Sequence, residues 1–308
     1  MSDHILSGPP ESWTRLPVQN LFSLSKPELD DLQLHWAQTR FGQLQDRIPA
    51  LDALAEKQGV KIIPDFETLA TILFTHQVYK NYPFAFIERK LFTELTRWLN
   101  KLTAHDLSTL DMRGVNTIDE WLTRLDEAGM FVFHSTGTSG KLSFFPRSQT
   151  EKEAWVEGTY TFLEAFMPGI RNLHLPVFWP AYRSGRQASM RLITHFGPTL
   201  AGSEAEYHSL FNAPMSADFM SLAMRMKHAQ EHGDLTVMDT IKPSSRPKAR
   251  SSPQSAQGRS HQSFFDKMVR EVSRSAGLPD GLPRICWMLP WKGWQPDRSR
   301  SFASNSVL

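Results

Sequence analysis

Apolar and polar positions in the first hundred residues follow helical spacing. Ser25-Lys26-Pro27-Glu28 is a start signal: a capping hydroxyl, a proline in the first turn and a glutamate placed to close a capping box. Leu29, Leu32 and Trp36 then follow on one face. Asp65 after Pro64 opens a second helix with Leu69, Ile72 and Leu73, and Ile87, Leu91, Leu95, Trp98 and Leu102 predict a longer third. Thr117 and Glu120 form a capping box for a short helix bearing Ile118, Trp121, Leu122 and Leu125, ended by Gly129. Stripes of this kind are core before they are a cofactor box.

A short apolar strand begins after Gly129, and helix and strand signals alternate beyond it. Ser148 with Glu151, or Thr150 with Glu153, caps a helix presenting Trp155, Phe162, Leu163 and Phe166, which Pro168-Gly169 stops. Leu175 to Trp179 reads as a strand. Tyr182-Arg-Ser-Gly-Arg186 reads as a solvated polar turn or, less simply, as two guanidiniums offered to an anion. Ser216-Ala-Asp218 begins a helix with Met220, Ala223 and Met224 that stops at Gly233; its methionines suit core or the wall of an apolar pocket. The expected fold class is α/β. The segments are a mainly helical region over 1–128, an α/β nucleotide-binding region over 129–239, a linker over 240–263, and a short helix with an irregular, truncated end over 264–308.

Composition narrows the chemistry. From Thr240 to Phe265 there is no acidic residue, and Lys242, Arg246, Lys248, Arg250 and Arg259 are spread among Ser, Pro and Gln, which predicts a flexible linker. Without interleaved aromatics, this basic stretch is a poor nucleic-acid binder. The net charge of +2 on 308 residues supplies no field for nucleic acid or an anionic membrane. One cysteine, Cys286, excludes an internal disulfide framework and a cysteine-rich zinc site. No apolar run approaches the roughly 20 residues of a spanning helix and no signal pattern leads the chain, so the expected location is cytoplasmic. The eleven histidines show no metal-site spacing, and no metal ligand is assigned. His134 could seat a nucleotide or be a core strand histidine.

The most informative stretch is Val132-Phe-His-Ser-Thr-Gly-Thr-Ser-Gly-Lys-Leu-Ser143, a strand feeding a loop of glycines and hydroxyls closed by a lysine. Gly137 and Gly140 can take positive φ and let backbone N–H groups gather around an anion. Ser135, Thr136, Thr138 and Ser139 add neutral donors, and Lys141 adds a positive charge. A polar hairpin connection is the plainer reading. Spacing excludes two commoner glycine loops: Ser135 and Leu142 stand where an NTPase P-loop needs glycine and Ser or Thr, and the dinucleotide fingerprint needs a third glycine. Lys141 stands where a nucleophile elbow on Ser139 needs glycine. Catalytic carboxylates cannot be chosen from sequence.

This stretch resembles the phosphate loop of the adenylate-forming superfamily, which includes acyl-CoA synthetases, acyl-protein synthetases, luciferases and peptide-synthetase adenylation domains. The family pattern has an apolar residue, two variable ones, a run Ser/Thr-Ser/Thr-Gly-Thr-Ser/Thr-Gly, a variable residue, a small or apolar one, and a basic residue. Val132 to Leu142 meet every position; Ser143 departs, standing where the basic residue belongs, with Lys141 two residues before it. Phe144-Phe145-Pro146-Arg147 resembles the branch with phenylacetate-CoA ligases and long-chain acyl-protein synthetases. The resemblance implies part of the large N-terminal domain of such an enzyme and ATP-dependent activation of a carboxylic acid, fatty or aromatic, to an acyl-adenylate. The acyl group then passes to a thiol of CoA or a carrier protein. It implies ATP and Mg2+ as cofactors, with the triphosphate held by Ser135, Thr136, Gly137, Thr138, Ser139, Gly140 and Lys141. The family's later motifs, an aromatic-Gly-x-Thr-Glu segment, a ribose-binding aspartate and a C-terminal lysine, are not found. The alternative is therefore a catalytically incomplete nucleotide-binding or scaffold protein.

Overall fold

The computed structural model describes residues 8–233 apart from 22, 136, 138 and 139, and the expectations for 240–308 lie outside the described residues. Eight helices come first: α1 (Pro10–Trp13), α2 (Val18–Leu21), α3 (Lys26–Leu44), α4 (Pro49–Gln58), α5 (Phe66–Ile72), α6 (Ala85–Glu88), α7 (Phe92–Asn100) and α8 (Ile118–Glu127). Strands β1 (Phe131–His134) and β2 (Phe144–Arg147) follow, then α9 (Gln149–Phe166), β3 (Val177–Gly185), α10 (Ala188–Ala201), β4 (Tyr207–Met215) and α11 (Ala217–Glu231). The described chain is mixed helix and sheet.

The caps act where the sequence placed them. Glu28 accepts from the Ser25 N–H at 2.8 Å, Asp65 from the Thr68 N–H at 2.7 Å, and Thr117 from the Glu120 N–H at 3.1 Å. Of the two boxes offered for α9, Ser148 with Glu151 forms. The single helix expected from Ile87 to Leu102 is two. Lys90 sits at φ 56, and the Leu91 N–H reaches back to the Phe86 carbonyl at 2.7 Å, the closure of a left-handed helix end built without glycine. The strand expected at Leu175–Trp179 begins at Val177 and runs to Gly185, so Tyr182-Arg-Ser-Gly is strand and not a turn.

Two small sheets carry the strands. β1 and β2 pair antiparallel, Phe131 opposite Arg147 and His134 opposite Phe144. β3 and β4 pair parallel, Val177 beside Tyr207 and Gly185 beside Met215, with α10 as the crossover. Gly197 lies inside α10 because the helix packs hard on β4: a Cβ there would meet the Tyr207 ring at 2.6 Å. An isolated parallel bridge between His134 and Gln187 ties the end of β1 to the segment after β3.

The principal core runs across the junction between the helical region and the hairpin. Leu95 and Leu99 of α7, Trp121 and Leu125 of α8, Val132 of β1, Phe144 of β2 and the loop residue Leu142 form one buried cluster. Trp121 is fully buried, its indole N–H donating to Thr96 Oγ1 at 2.8 Å and its ring edge-on to Phe144 at 5.0 Å. Full burial of such side chains contributes about 1.5–3 kcal/mol each. The loop is therefore anchored at its base.

Helices α8 and α11 cap each other. Asp119 accepts from the Ser216 hydroxyl at 2.5 Å and the Ala217 N–H at 3.0 Å, while Asp218 accepts from the N–H groups of Ile118 at 2.8 Å and Asp119 at 2.9 Å. Burial pushes the Asp218 carboxyl above its ordinary value of 3.8. The two N–H bonds pull it down, and the neighbouring Asp119 charge pushes it up again.

Candidate functional site: the glycine loop

The loop joins β1 to β2 and is drawn together by Ser135. Its N–H donates to the Ser143 carbonyl at 3.0 Å, and its hydroxyl oxygen accepts from the N–H groups of Ser143 at 2.9 Å and Gly137 at 3.3 Å. Those bonds leave the Ser135 hydroxyl hydrogen as its donor toward a ligand. Gly137 at φ 71 and Gly140 at φ 78 adopt the left-handed conformation their lack of a Cβ permits. Their N–H groups do not both face outward: Gly137 donates to Ser135, and Gly140 donates to the Gly137 carbonyl at 2.8 Å. Gly137 itself is buried against Leu142. Thr136, Thr138 and Ser139 lie outside the described residues.

Lys141 closes the loop over Tyr82. Its ammonium donates to the Tyr82 carbonyl and lies 4.2 Å from the Tyr82 ring centroid. The Tyr82 hydroxyl in turn donates to the Leu142 carbonyl at 2.9 Å. No described carboxylate forms an ion pair with Lys141. Partial burial pulls its pKa below the ordinary 10.5, and the nearby Lys80 charge adds to that.

His134 precedes the loop and is 1% exposed. Its Nδ1 lies 2.9 Å from the Ser135 carbonyl, which can only accept, so Nδ1 carries the hydrogen. Nε2 is buried without a partner, and burial keeps the ring neutral by pulling its pKa below 6.5. It is a core strand histidine that also fixes the first residue of the loop.

Three neighbours of the loop carry no signal in the sequence. Tyr82 and Lys80 come from the segment before α6, and His228 comes from α11, where a Cβ on Gly140 would meet its ring at 3.1 Å. None lies within fifty residues of the loop in sequence. The arginines of Tyr182–Arg186 are engaged elsewhere. Arg183 pairs with the Glu204 carboxylate and donates to the Tyr207 carbonyl at 2.6 Å. Arg186 donates to Asp126 at 3.1 Å and Thr123 at 2.8 Å. Leu44, Ile48, Phe74, Tyr79, Phe145 and Trp155 line a cavity of about 1120 Å3 together with the charged side chains of Glu11, Arg40, Arg47, Arg147 and Glu151.

Among the described residues, no group of three or more His, Cys, Asp or Glu side chains could hold a metal ion, and no helix is long and apolar enough to cross a membrane. In comparisons with protein-family models, curated proteins and solved structures, the chain matches none.

Proposed function

We propose that this chain takes part in ATP-dependent activation of a carboxylic acid to an acyl-adenylate, for transfer to a thiol. The observation that carries the reading is Lys141: a partly buried cation that pairs with no acid among the described residues, on a loop whose glycines hold positive φ. That arrangement suits the β and γ phosphates of a nucleotide, whose charge would pair with the Lys141 ammonium. The loop's part is electrostatic positioning of the phosphates as charge moves toward pyrophosphate, and it transfers no proton. Magnesium would arrive with the nucleotide phosphates, and no side chain is assigned to it. The fold this reading expects is part of the large domain of an adenylate-forming enzyme.

A second reading has its own support. Gly137 is buried, and the N–H groups of both glycines are spent inside the loop, as a hairpin connection held for structure would have them. That reading leaves a scaffold or an incomplete nucleotide binder. Calorimetry with ATP and magnesium on this chain and on Lys141→Ala, followed by carboxylate-dependent pyrophosphate release, separates them. Binding that weakens in the variant, with release, supports the adenylating enzyme. Binding without release leaves a nucleotide-binding protein, and no binding leaves the hairpin.

A further inference from the structure

A cavity of about 580 Å3 lies among α8, α9, α10 and the ends of β3 and β4, and no described residue of the glycine loop lines it. Three cations border it, Lys152, Arg186 and Arg191, together with the acids Asp119 and Asp126. Both acids are already engaged. Asp119 caps α11, and Asp126 takes Arg186 at 3.1 Å and Arg191 at 2.8 Å. One carboxylate shared by two guanidiniums leaves a positive charge over. Arg191 also donates to the Val132 carbonyl at 3.0 Å, yet its Nε is buried with no partner. Beside it, Phe133 lies 5.6 Å from the Arg191 guanidinium and 4.8 Å, ring to ring, from Trp155. His195, the remaining titratable group on the wall, is held toward its neutral form by burial.

We infer that this cavity binds a small organic carboxylate with a flat apolar body, its acid group on Arg191 and Arg186 and its body against Phe133 and Trp155. A guanidinium charge pairs with a carboxylate, and one uncompensated charge matches a monoanion better than a phosphate dianion. The volume lies within the range of small-molecule sites, and Phe133, Trp155, Val156 and Met215 give an apolar side to a cavity otherwise lined by charged and polar groups. The assignment does not depend on the glycine loop or on nucleotide.

The test is calorimetric titration of the whole chain, without ATP, by 2-naphthoate, 2-naphthamide and 2-naphthyl phosphate. Naphthoate binds; the amide and the phosphate bind at least about tenfold more weakly, the loss expected for one charge-assisted hydrogen bond. Arg186→Gln weakens naphthoate by a similar factor. Thr194→Trp fills the cavity without changing its charge and abolishes binding. Lys141→Ala leaves binding unchanged. If either cavity variant fails to fold, the three ligands on the unmodified chain still decide. No naphthoate binding, an amide that binds equally well, tighter binding of the phosphate, or a loss in Lys141→Ala would each overturn the assignment.

Discussion

Gly137→Ala tests whether the glycine loop is packed on its base as described, and Gly114→Ala supplies the comparison. Both glycines hold the left-handed conformation, at φ 71 and φ 81. Around Gly114 an added Cβ meets nothing within 4 Å, whereas at Gly137 it meets Leu142 Cδ2 at 2.9 Å and the Leu142 N at 3.6 Å. The left-handed backbone costs alanine about 1–2 kcal/mol at either site, less about 0.4–1 kcal/mol from the stiffer unfolded chain. Gly114→Ala should thus destabilise by up to about 1.5 kcal/mol. At Gly137 the contact adds about 1–3 kcal/mol, because Leu142 is 1% exposed and wedged in the principal core, so its methyl cannot swing away. The total is about 1–4.5 kcal/mol. Urea denaturation followed by far-ultraviolet circular dichroism measures both. Leu142→Ala removes the methyl, so in that background the cost of Gly137→Ala should fall to that of Gly114→Ala. Equal costs for the two single variants, or no relief from Leu142→Ala, would refute the packing of the loop on Leu142.

Three further outcomes follow from the geometry. ATP binding should weaken as pH rises toward the ordinary lysine range: Lys141 has a folded pKa below 10.5, loses its charge early on the alkaline side, and a bound phosphate must hold its proton on; calorimetry in buffers of different ionisation enthalpy would detect the linked proton uptake, and uptake unchanged in Lys141→Ala would count against it. Asp218 has a folded pKa above 3.8, so the folded chain binds the extra proton and the contribution of this group is fully present at low pH and lost as pH rises through the folded pKa. Relative to Asp218→Asn, the native chain should therefore lose stability from about pH 4 upward, and two parallel pH profiles would overturn the burial of Asp218 beside the Asp119 charge. Gly197→Ala should destabilise despite alanine's advantage of about 1 kcal/mol inside a helix, since the new methyl would overlap the buried Tyr207 ring; a higher melting temperature would show that α10 and β4 do not pack as closely as described.

What could be read without the structure was local. The capping boxes at Ser25, Thr117 and Ser148, the strand after Gly129 and the alternation beyond it depend on residues within one or two turns of each other, and the chain forms them where those residues stand. The glycines of the loop announced their positive φ for the same reason. Expectations failed where a distant contact outweighed the local pattern. Ile87 to Leu102 keep helical spacing, yet the chain breaks at Lys90, whose left-handed turn redirects α7 so that Leu95 and Leu99 reach Trp121 and the hairpin. Tyr182-Arg-Ser-Gly looks like a polar turn, and pairing with β4 makes it strand, with Arg183 satisfied by Glu204 and a carbonyl.

The candidate site divides the same way. Sequence alone determined that a glycine- and hydroxyl-rich loop ending in Lys141 follows a strand, because backbone freedom and side-chain charge are properties of the residues themselves. Only the tertiary structure decided that Ser135 and the Gly137 carbonyl take up the glycine N–H groups, that Tyr82 lies under Lys141, and that Arg186 and Arg191 converge on Asp126 beside Phe133 and Trp155. Burial and electrostatic neighbours are set by segments far apart in the chain, and no spacing along the sequence encodes them.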